Sequence, residues 1–91
     1  MVIGITMMKV LPGKEKSVYW FLKGIEGIEE LYHVFGEYDL FVIMQAEGIN
    51  KLNKLINDIK EVQHVIMSRT ILVGWDRGVL QEHESLIRKT M

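Results

Sequence analysis

Residues 33–44, His-Val-Phe-Gly-Glu-Tyr-Asp-Leu-Phe-Val-Ile-Met, place a Gly-Glu-Tyr-Asp loop between two apolar runs rich in β-forming residues. Two such runs joined by a short loop that contains glycine predict a β-hairpin. Gly36 can take backbone angles closed to other residues, and it puts no side chain between the main chain and an approaching ligand. We therefore expect a hairpin whose tip is chemically accessible.

The loop also has the groups that a small zwitterion needs. Backbone N–H groups near Gly36 would meet a carboxylate, and Asp39, at the edge of the next strand, would meet an ammonium. The alternative is a plain turn in which Asp39 bonds its own backbone, and the four loop residues alone favour that alternative.

Apolar periodicity predicts a βαββαβ order for the first 73 residues. The predicted elements are a strand over 2–10, a helix over 14–23, strands over 28–35 and 40–46, a helix with an apolar stripe over 49–59, and a strand over 65–73. This order is that of a ferredoxin-like α+β fold, in which an antiparallel sheet carries both helices on one face. Residues 1–73 therefore form the predicted domain.

Residues 74–91 form the predicted linker and C-terminal tail. The linker, 74–78, is turn-like. In the tail, Val79, Leu80, Leu86 and Ile87 lie at helical spacing among charged residues. A short helix that packs on a neighbouring subunit and a frayed end both fit this pattern.

The predicted strands are apolar on both faces, as residues 3–8 and 40–44 show. Two helices can cover only one face of the sheet, so the other face needs a different cover. A second copy of the chain is the simplest cover. Face-to-face packing of two sheets then predicts a two-fold dimer of the dimeric α+β barrel type. Trp20, outside the apolar stripe of its helix, is a candidate for a further contact.

Composition narrows the class of protein. At 91 residues, the chain is one domain near the size at which oligomerisation often adds needed stability. A net charge of −1 gives no electrostatic reason to expect nucleic-acid binding, and the lack of cysteine excludes disulfides and thiolate zinc sites. The apolar N-terminal run is too short to span a bilayer and lacks a basic leader. We expect a soluble cytoplasmic protein that binds neither nucleic acid directly nor membrane.

Four segments, taken in order, carry a family resemblance. They are Val10-Leu11-Pro12-Gly13-Lys14-Glu15, Ile25-Glu26-Gly27-Ile28, Gly36-Glu37-Tyr38-Asp39-Leu40 and Ser68-Arg69-Thr70-Ile71-Leu72-Val73. Across about residues 2–73 the set resembles the effector-binding (RAM) domain of the leucine-responsive/asparagine-regulator (Lrp/AsnC) family of transcription factors. Family members usually carry a helix-turn-helix domain ahead of this module. Since the sequence starts at the first strand, it resembles the stand-alone version.

The resemblance implies that an amino acid binds between dimers and that dimers assemble into rings. A DNA-binding Lrp/AsnC-type regulator is an implied partner, and no cofactor is implied. Carried over position by position, the expected ligand-binding residues are Gly36, Glu37, Tyr38, Asp39 and Thr70.

Two positions depart from the family pattern. Phe35 stands where a small polar residue is common, and it would narrow the pocket or remove a polar contact. His64 stands where the entry to the last strand often has glycine.

Other functions remain open at this point. A small dimeric barrel enzyme of the monooxygenase or isomerase type needs an acid-base group that faces the cavity, and His33 is the best candidate. The ACT domain has the same βαββαβ order, and only the loop 36–39 separates it from the RAM domain. A purely structural assembly module is the third alternative. Since the three histidines lack close metal-ligand spacing, we expect no metal site. The favoured interpretation is a non-enzymatic, oligomeric amino-acid sensor linked to transcription regulation.

Overall fold

The computed structural model describes residues 1–74 and 78–86. Its elements are β1 (Val2–Val10), α1 (Glu15–Lys23), β2 (Ile28–His33), β3 (Leu40–Ala46), α2 (Ile49–Lys60), β4 (Val65–Gly74) and β5 (Gly78–Leu86). The strands form one antiparallel sheet in the order β2-β3-β1-β4-β5. The first four strands and the two helices have the predicted ferredoxin-like order, which confirms the fold class.

The segment 78–86 is a fifth strand, so the short helix, one of the two alternatives left open for the tail, is wrong for this segment. β5 pairs antiparallel with β4, from Gly74 opposite Gly78 to Met67 opposite Leu86. The outer edge of β4 offers a row of backbone hydrogen-bond partners, and this pairing prevails over the helical spacing of a few apolar residues. Residues 75–77 and 87–91, which include Ile87, lie outside the described residues.

The core lies between the helices and one face of the sheet. Alternate strand residues point to this face. Its fully buried apolar members are Met8, Leu22, Leu40, Val42, Met44, Leu52, Ile59, Val65 and Leu72. Helix α2 packs close to β1 at Gly4, since a Cβ there would lie 3.2 Å from Met44 Cε and 3.4 Å from Leu52 Cδ1. A larger residue at Gly4 would push the helix outward.

The opposite face of the sheet, here called the open face, is also apolar at its centre. Ile43, Ile5 and Ile71 lie side by side on β3, β1 and β4. Phe41 and Met7 form the adjacent row. These side chains alternate with the buried ones beneath the helices and are themselves half-buried. The prediction that the strands are apolar on both faces is therefore confirmed.

Candidate functional site

The loop 34–39 joins β2 to β3 and has the conformation that glycine favours. Gly36 has φ +120°, and a Cβ added there would meet nothing within 4 Å. Glycine is thus required by backbone conformation and not by crowding. Phe35 is fully exposed, Gly36 and Glu37 are exposed, and Tyr38 is half-buried.

Asp39 makes three hydrogen bonds, two of them to β1 and one within the loop. Its N–H donates to the Met8 carbonyl at 2.7 Å, and its own carbonyl accepts from Val34 N–H at 3.0 Å. Its carboxylate Oδ2 accepts the Val10 N–H at 2.7 Å. The last paired residues of β1 and β3 are Met8 and Leu40, and Val10 lies beyond them. The Asp39 carboxylate therefore accepts the Val10 N–H where a longer β3 would have offered a backbone carbonyl. The Asp39 carboxylate therefore bonds the backbone of a neighbouring strand, whereas in the plain-turn alternative it bonds its own backbone.

Lys9 brings a cation to the same loop. Its Nζ donates to the Glu37 carbonyl at 3.4 Å. On β1, Lys9 follows the alternation of Ile5 and Met7, so it lies at the rim of the open face. Sequence reasoning missed this residue because positions 9 and 37 are distant in the chain. The loop thus combines a positive-φ glycine, an ammonium and a carboxylate.

Thr70 occupies a different environment. It is 1% exposed and lies on the helix side of β4, where its hydroxyl shares a 2.7 Å hydrogen bond with the buried Thr6 hydroxyl. This bond satisfies both hydroxyls in the core. A role for Thr70 in ligand binding stays a prediction.

Several concave sites lie elsewhere on the described part of the chain, and three of them are considered. The first, of about 260 Å³, lies between α1 and β2, and the second, of about 180 Å³, is lined by Phe21, Val62 and His64. The third, of about 580 Å³, lies at the N-terminus beside Gly27, Glu47 and Lys54. No residue of the loop 34–39 lines any of these three.

His33 does not lie on the open face of the sheet. His33 stacks on Tyr19 of α1 with ring centroids 4.7 Å apart, so it lies on the helix side of the sheet. The suggestion that His33 faces the open-face cavity as an acid-base group is therefore wrong. Within residues 1–74 and 78–86, no cluster of three His, Asp or Glu side chains is placed to hold a metal ion.

His64 explains one departure from the family pattern. Its φ is +76°, a left-handed conformation that glycine adopts without strain. Its carbonyl accepts the Leu11 N–H at 2.9 Å, so the strained residue holds the turn before β4 against the end of β1. In the described part of the chain, neither helix has the length and apolar character needed to cross a membrane.

Comparison with known proteins points to one family. The family model of the Lrp/AsnC ligand binding domain matches residues 3–74, which covers the βαββαβ unit except for the first residue of β1. Protein PHS023 from Pyrococcus horikoshii superposes with a TM-score of 0.78 at 28% identity, over 84% of this chain and 93% of that chain. AsnC of E. coli superposes with a TM-score of 0.72 at 22% identity, over 99% of this chain and 56% of that one, and so supports the fold.

Two curated relatives share part of the sequence. The HTH-type transcriptional regulator LysM of Sulfurisphaera tokodaii is 33% identical over 49 residues, which is 54% of this chain and 35% of that protein. Homocitrate synthase of the same organism is 36% identical over 52 residues, which is 57% of this chain and 11% of the enzyme. The chain therefore matches only a minor part of each relative's length.

Proposed function

The chain belongs to the Lrp/AsnC ligand-binding domain family, and we propose that it is an oligomeric module that senses an amino acid or a similar small metabolite for a transcription regulator. The observation that carries this proposal is the family match over residues 3–74. The geometry of the loop 34–39 adds a specific binding mode to it. A cytoplasmic location follows from the regulatory role.

An ammonium and a carboxylate of opposite charge lie at this exposed loop. Lys9, with Nζ 3.4 Å from the Glu37 carbonyl, would bind the ligand carboxylate together with backbone N–H groups near Gly36. Asp39 would bind the ligand ammonium through Oδ1, since Oδ2 accepts the Val10 N–H. Tyr38, which is half-buried in the same loop, would contact the ligand side chain.

A second subunit would complete this site. The loop tip is exposed, and a zwitterion held there by one chain would remain largely hydrated, which weakens each charged contact. Lys9 lies at the rim of the open face, where face-to-face packing around Ile5 would bring a second sheet. Phe35, fully exposed, would then be covered by a neighbouring subunit and form one wall of the pocket. Ligand binding would thus depend on assembly.

The regulator is proposed to be a separate DNA-binding relative. LysM carries the words HTH-type transcriptional regulator in its name, and this chain matches 35% of that protein's length. Mixed oligomers, in which this module replaces a regulator's own effector domain, would transmit ligand occupancy without direct DNA contact.

Control of an enzyme is the second candidate function. The matches to homocitrate synthases, at 36–37% identity over 52–57 residues, favour it. In this version the module would bind its effector and then act on a biosynthetic enzyme. The two candidate functions are distinguished by testing whether the protein co-assembles with a Lrp/AsnC-type regulator or with a homocitrate synthase.

Native mass spectrometry with and without a mixture of the common amino acids tests the proposal. We expect dimers or larger assemblies that retain a small ligand, with one mass increment per loop site. Assembly with no retained ligand would leave a structural module. A stable monomer without ligand would contradict both the oligomeric and the sensing parts of the proposal.

A further inference from the structure

A concave site lies beside strand β2, at one edge of the sheet. β2 pairs with β3 and stands at the outer end of the order β2-β3-β1-β4-β5. The site of about 260 Å³ lies between this edge and α1, with Tyr19 and Lys23 on one wall and residues 28–32 on the other. Sites that hold a drug-sized ligand measure about 300–1,000 Å³. This site is therefore better suited to a side chain than to a whole effector molecule.

The edge of β2 offers free backbone groups at two residues. The ladder with β3 is regular over residues 30–33, after a register shift near the start of the strand. Val34 N–H donates to the Asp39 carbonyl in the same register. Residues of an antiparallel pair alternately exchange hydrogen bonds with the neighbour or point away from it, so Val34 and Tyr32 bond inward. Leu31 and His33 therefore direct their N–H and C=O groups toward the free edge.

Lys23 places an ammonium on the helix wall of the site. Its Nζ lies 5.6 Å from the ring centroid of Tyr19 and 5.1 Å from that of Trp20. Within residues 1–74 and 78–86, Lys23 forms no salt bridge. The two rings attract the ammonium but do not neutralise its charge, and Trp20 is itself 64% exposed. This wall therefore favours an incoming carboxylate.

Glu30 places the opposite charge on the other side of the edge. Its side chain alternates with that of Leu31 and so lies on the open-face side, together with Tyr32. The Tyr32 hydroxyl donates to Glu30 Oε2, which leaves Oε1 for a cation. The edge thus has a cation on the helix side and a carboxylate on the open-face side.

We propose that this groove binds an extended segment of a partner protein, in which an acidic residue faces α1 and an adjacent basic residue faces Glu30. The segment adds to β2 as a further strand and bonds the free backbone groups of Leu31 and His33. Because neighbouring residues of a strand point to opposite faces, adjacent acidic and basic residues reach Lys23 and Glu30 together. The contact does not use the loop 34–39, so it goes beyond the proposed function.

Charge favours such a segment over a second copy of β2. In the regular part of this strand, the side chains on the helix side are those of Leu31 and His33, and neither is acidic. A second copy would therefore leave Lys23 without a carboxylate. It would also bring its own Lys23 to the same side of the joined sheet, which is unfavourable.

Selection from a random peptide library displayed on phage tests this chemistry on the full chain. The wild-type protein should enrich β-forming peptides with adjacent acidic and basic residues. Lys23→Glu should reverse the preference at the acidic position and weaken the selected peptide by about tenfold, because repulsion replaces attraction. Glu30→Lys should reverse the preference at the adjacent position.

Lys16→Glu is the matched control, since it makes the same charge change on α1 but does not line the site. It should bind the selected peptide as the wild type does. Enrichment without an acidic preference, no enrichment, or equal affinity of the Lys23→Glu and Lys16→Glu variants would overturn the proposal.

Hydrogen exchange resolved to single residues tests the addition of a strand. The N–H groups of Leu31 and His33 should exchange rapidly in the protein alone and slowly with the selected peptide, whereas the inward N–H of Tyr32 should change little. Unchanged exchange at Leu31 and His33 on peptide binding would contradict strand addition. Slow exchange at both before peptide is added would identify a second copy as the occupant and also contradict the proposal.

A proline substitution tests one of these N–H groups. His33→Pro removes an outward N–H and spares the β2–β3 ladder, whereas His33→Thr retains the N–H. Both variants should keep native circular dichroism, and only the proline variant should lose the peptide. Equal affinity of the two would contradict the proposal. Asp39→Asn should still bind the peptide, and amino-acid calorimetry on Lys23→Glu reports the loop site, so the two sites are tested separately.

Discussion

Replacement of Asp39 by alanine should destabilise the protein in the absence of any ligand. The Asp39 carboxylate accepts the Val10 N–H at 2.7 Å in a partly buried position. A hydrogen bond to a charged group contributes about 1.5–3 kcal/mol, and loss of the acceptor also leaves the Val10 N–H without this bond. Partial exposure lets water replace part of the interaction. We therefore expect a loss of about 2 kcal/mol in the free energy of unfolding, which lowers Tm by roughly 8–16 °C for a domain of this size.

Two matched variants separate this bond from a general charge effect. Asp39→Asn keeps a neutral acceptor of similar shape and should lose about half as much, since charge-assisted bonds are roughly twice as strong as neutral ones. Glu37→Ala removes the same charge from the same loop, but the recorded bond of Glu37 uses its backbone carbonyl. The free energy of unfolding of the Glu37→Ala variant should change by less than about 0.5 kcal/mol.

Urea unfolding at a fixed protomer concentration measures these differences, because assembly makes the apparent stability depend on concentration. Equal stability of Asp39→Ala and Glu37→Ala would refute the assignment of Asp39 as the tie between the hairpin and β1. Asp39→Asn, if folded, also tests ligand binding separately from stability.

Three further outcomes follow from the described contacts. Thr70→Val should lower the free energy of unfolding by about 1–2 kcal/mol, because it leaves the buried Thr6 hydroxyl without its partner. Adding Thr6→Val should recover most of this loss. A double-mutant cycle by thermal unfolding in which the two effects simply add would contradict this. Ile5→Lys places an ammonium at the centre of the open face and should dissociate or unfold the protein. An unchanged assembly mass in light scattering would exclude face-to-face packing at this position. His64→Gly removes the strain of the left-handed backbone and should leave the protein equally stable or more stable by up to about 1 kcal/mol. His64→Val should destabilise the protein. A Val variant more stable than the Gly variant in calorimetric unfolding would contradict the strain at this turn.

The βαββαβ core could be predicted from the sequence because its apolar periodicity is local. The predicted helix over 14–23 and strand over 40–46 agree with α1 and β3 to within one residue at each end. β2 ends at His33, two residues earlier than predicted, because Phe35 leaves the ladder and is fully exposed. The predicted strand includes Phe35 because this residue continues the apolar run.

Contacts between distant residues could not be predicted in the same way. The bond from Val10 to Asp39 and the approach of Lys9 to Glu37 depend on how β1 lies beside the hairpin. No local sequence pattern predicts that β1 lies next to this hairpin. Strand β5 was missed for a related reason, since its pairing with β4 is a tertiary interaction that prevails over local helical spacing.

The central claim is that this chain binds an amino acid or a similar metabolite at a site that depends on assembly. Isothermal titration calorimetry of the wild-type protein against each common amino acid tests it most directly. The account predicts saturable heat for at least one compound at one site per protomer, with the heat lost in a folded Asp39→Asn variant. No heat and no thermal shift at millimolar concentration of every compound would contradict the sensing function and leave an assembly module.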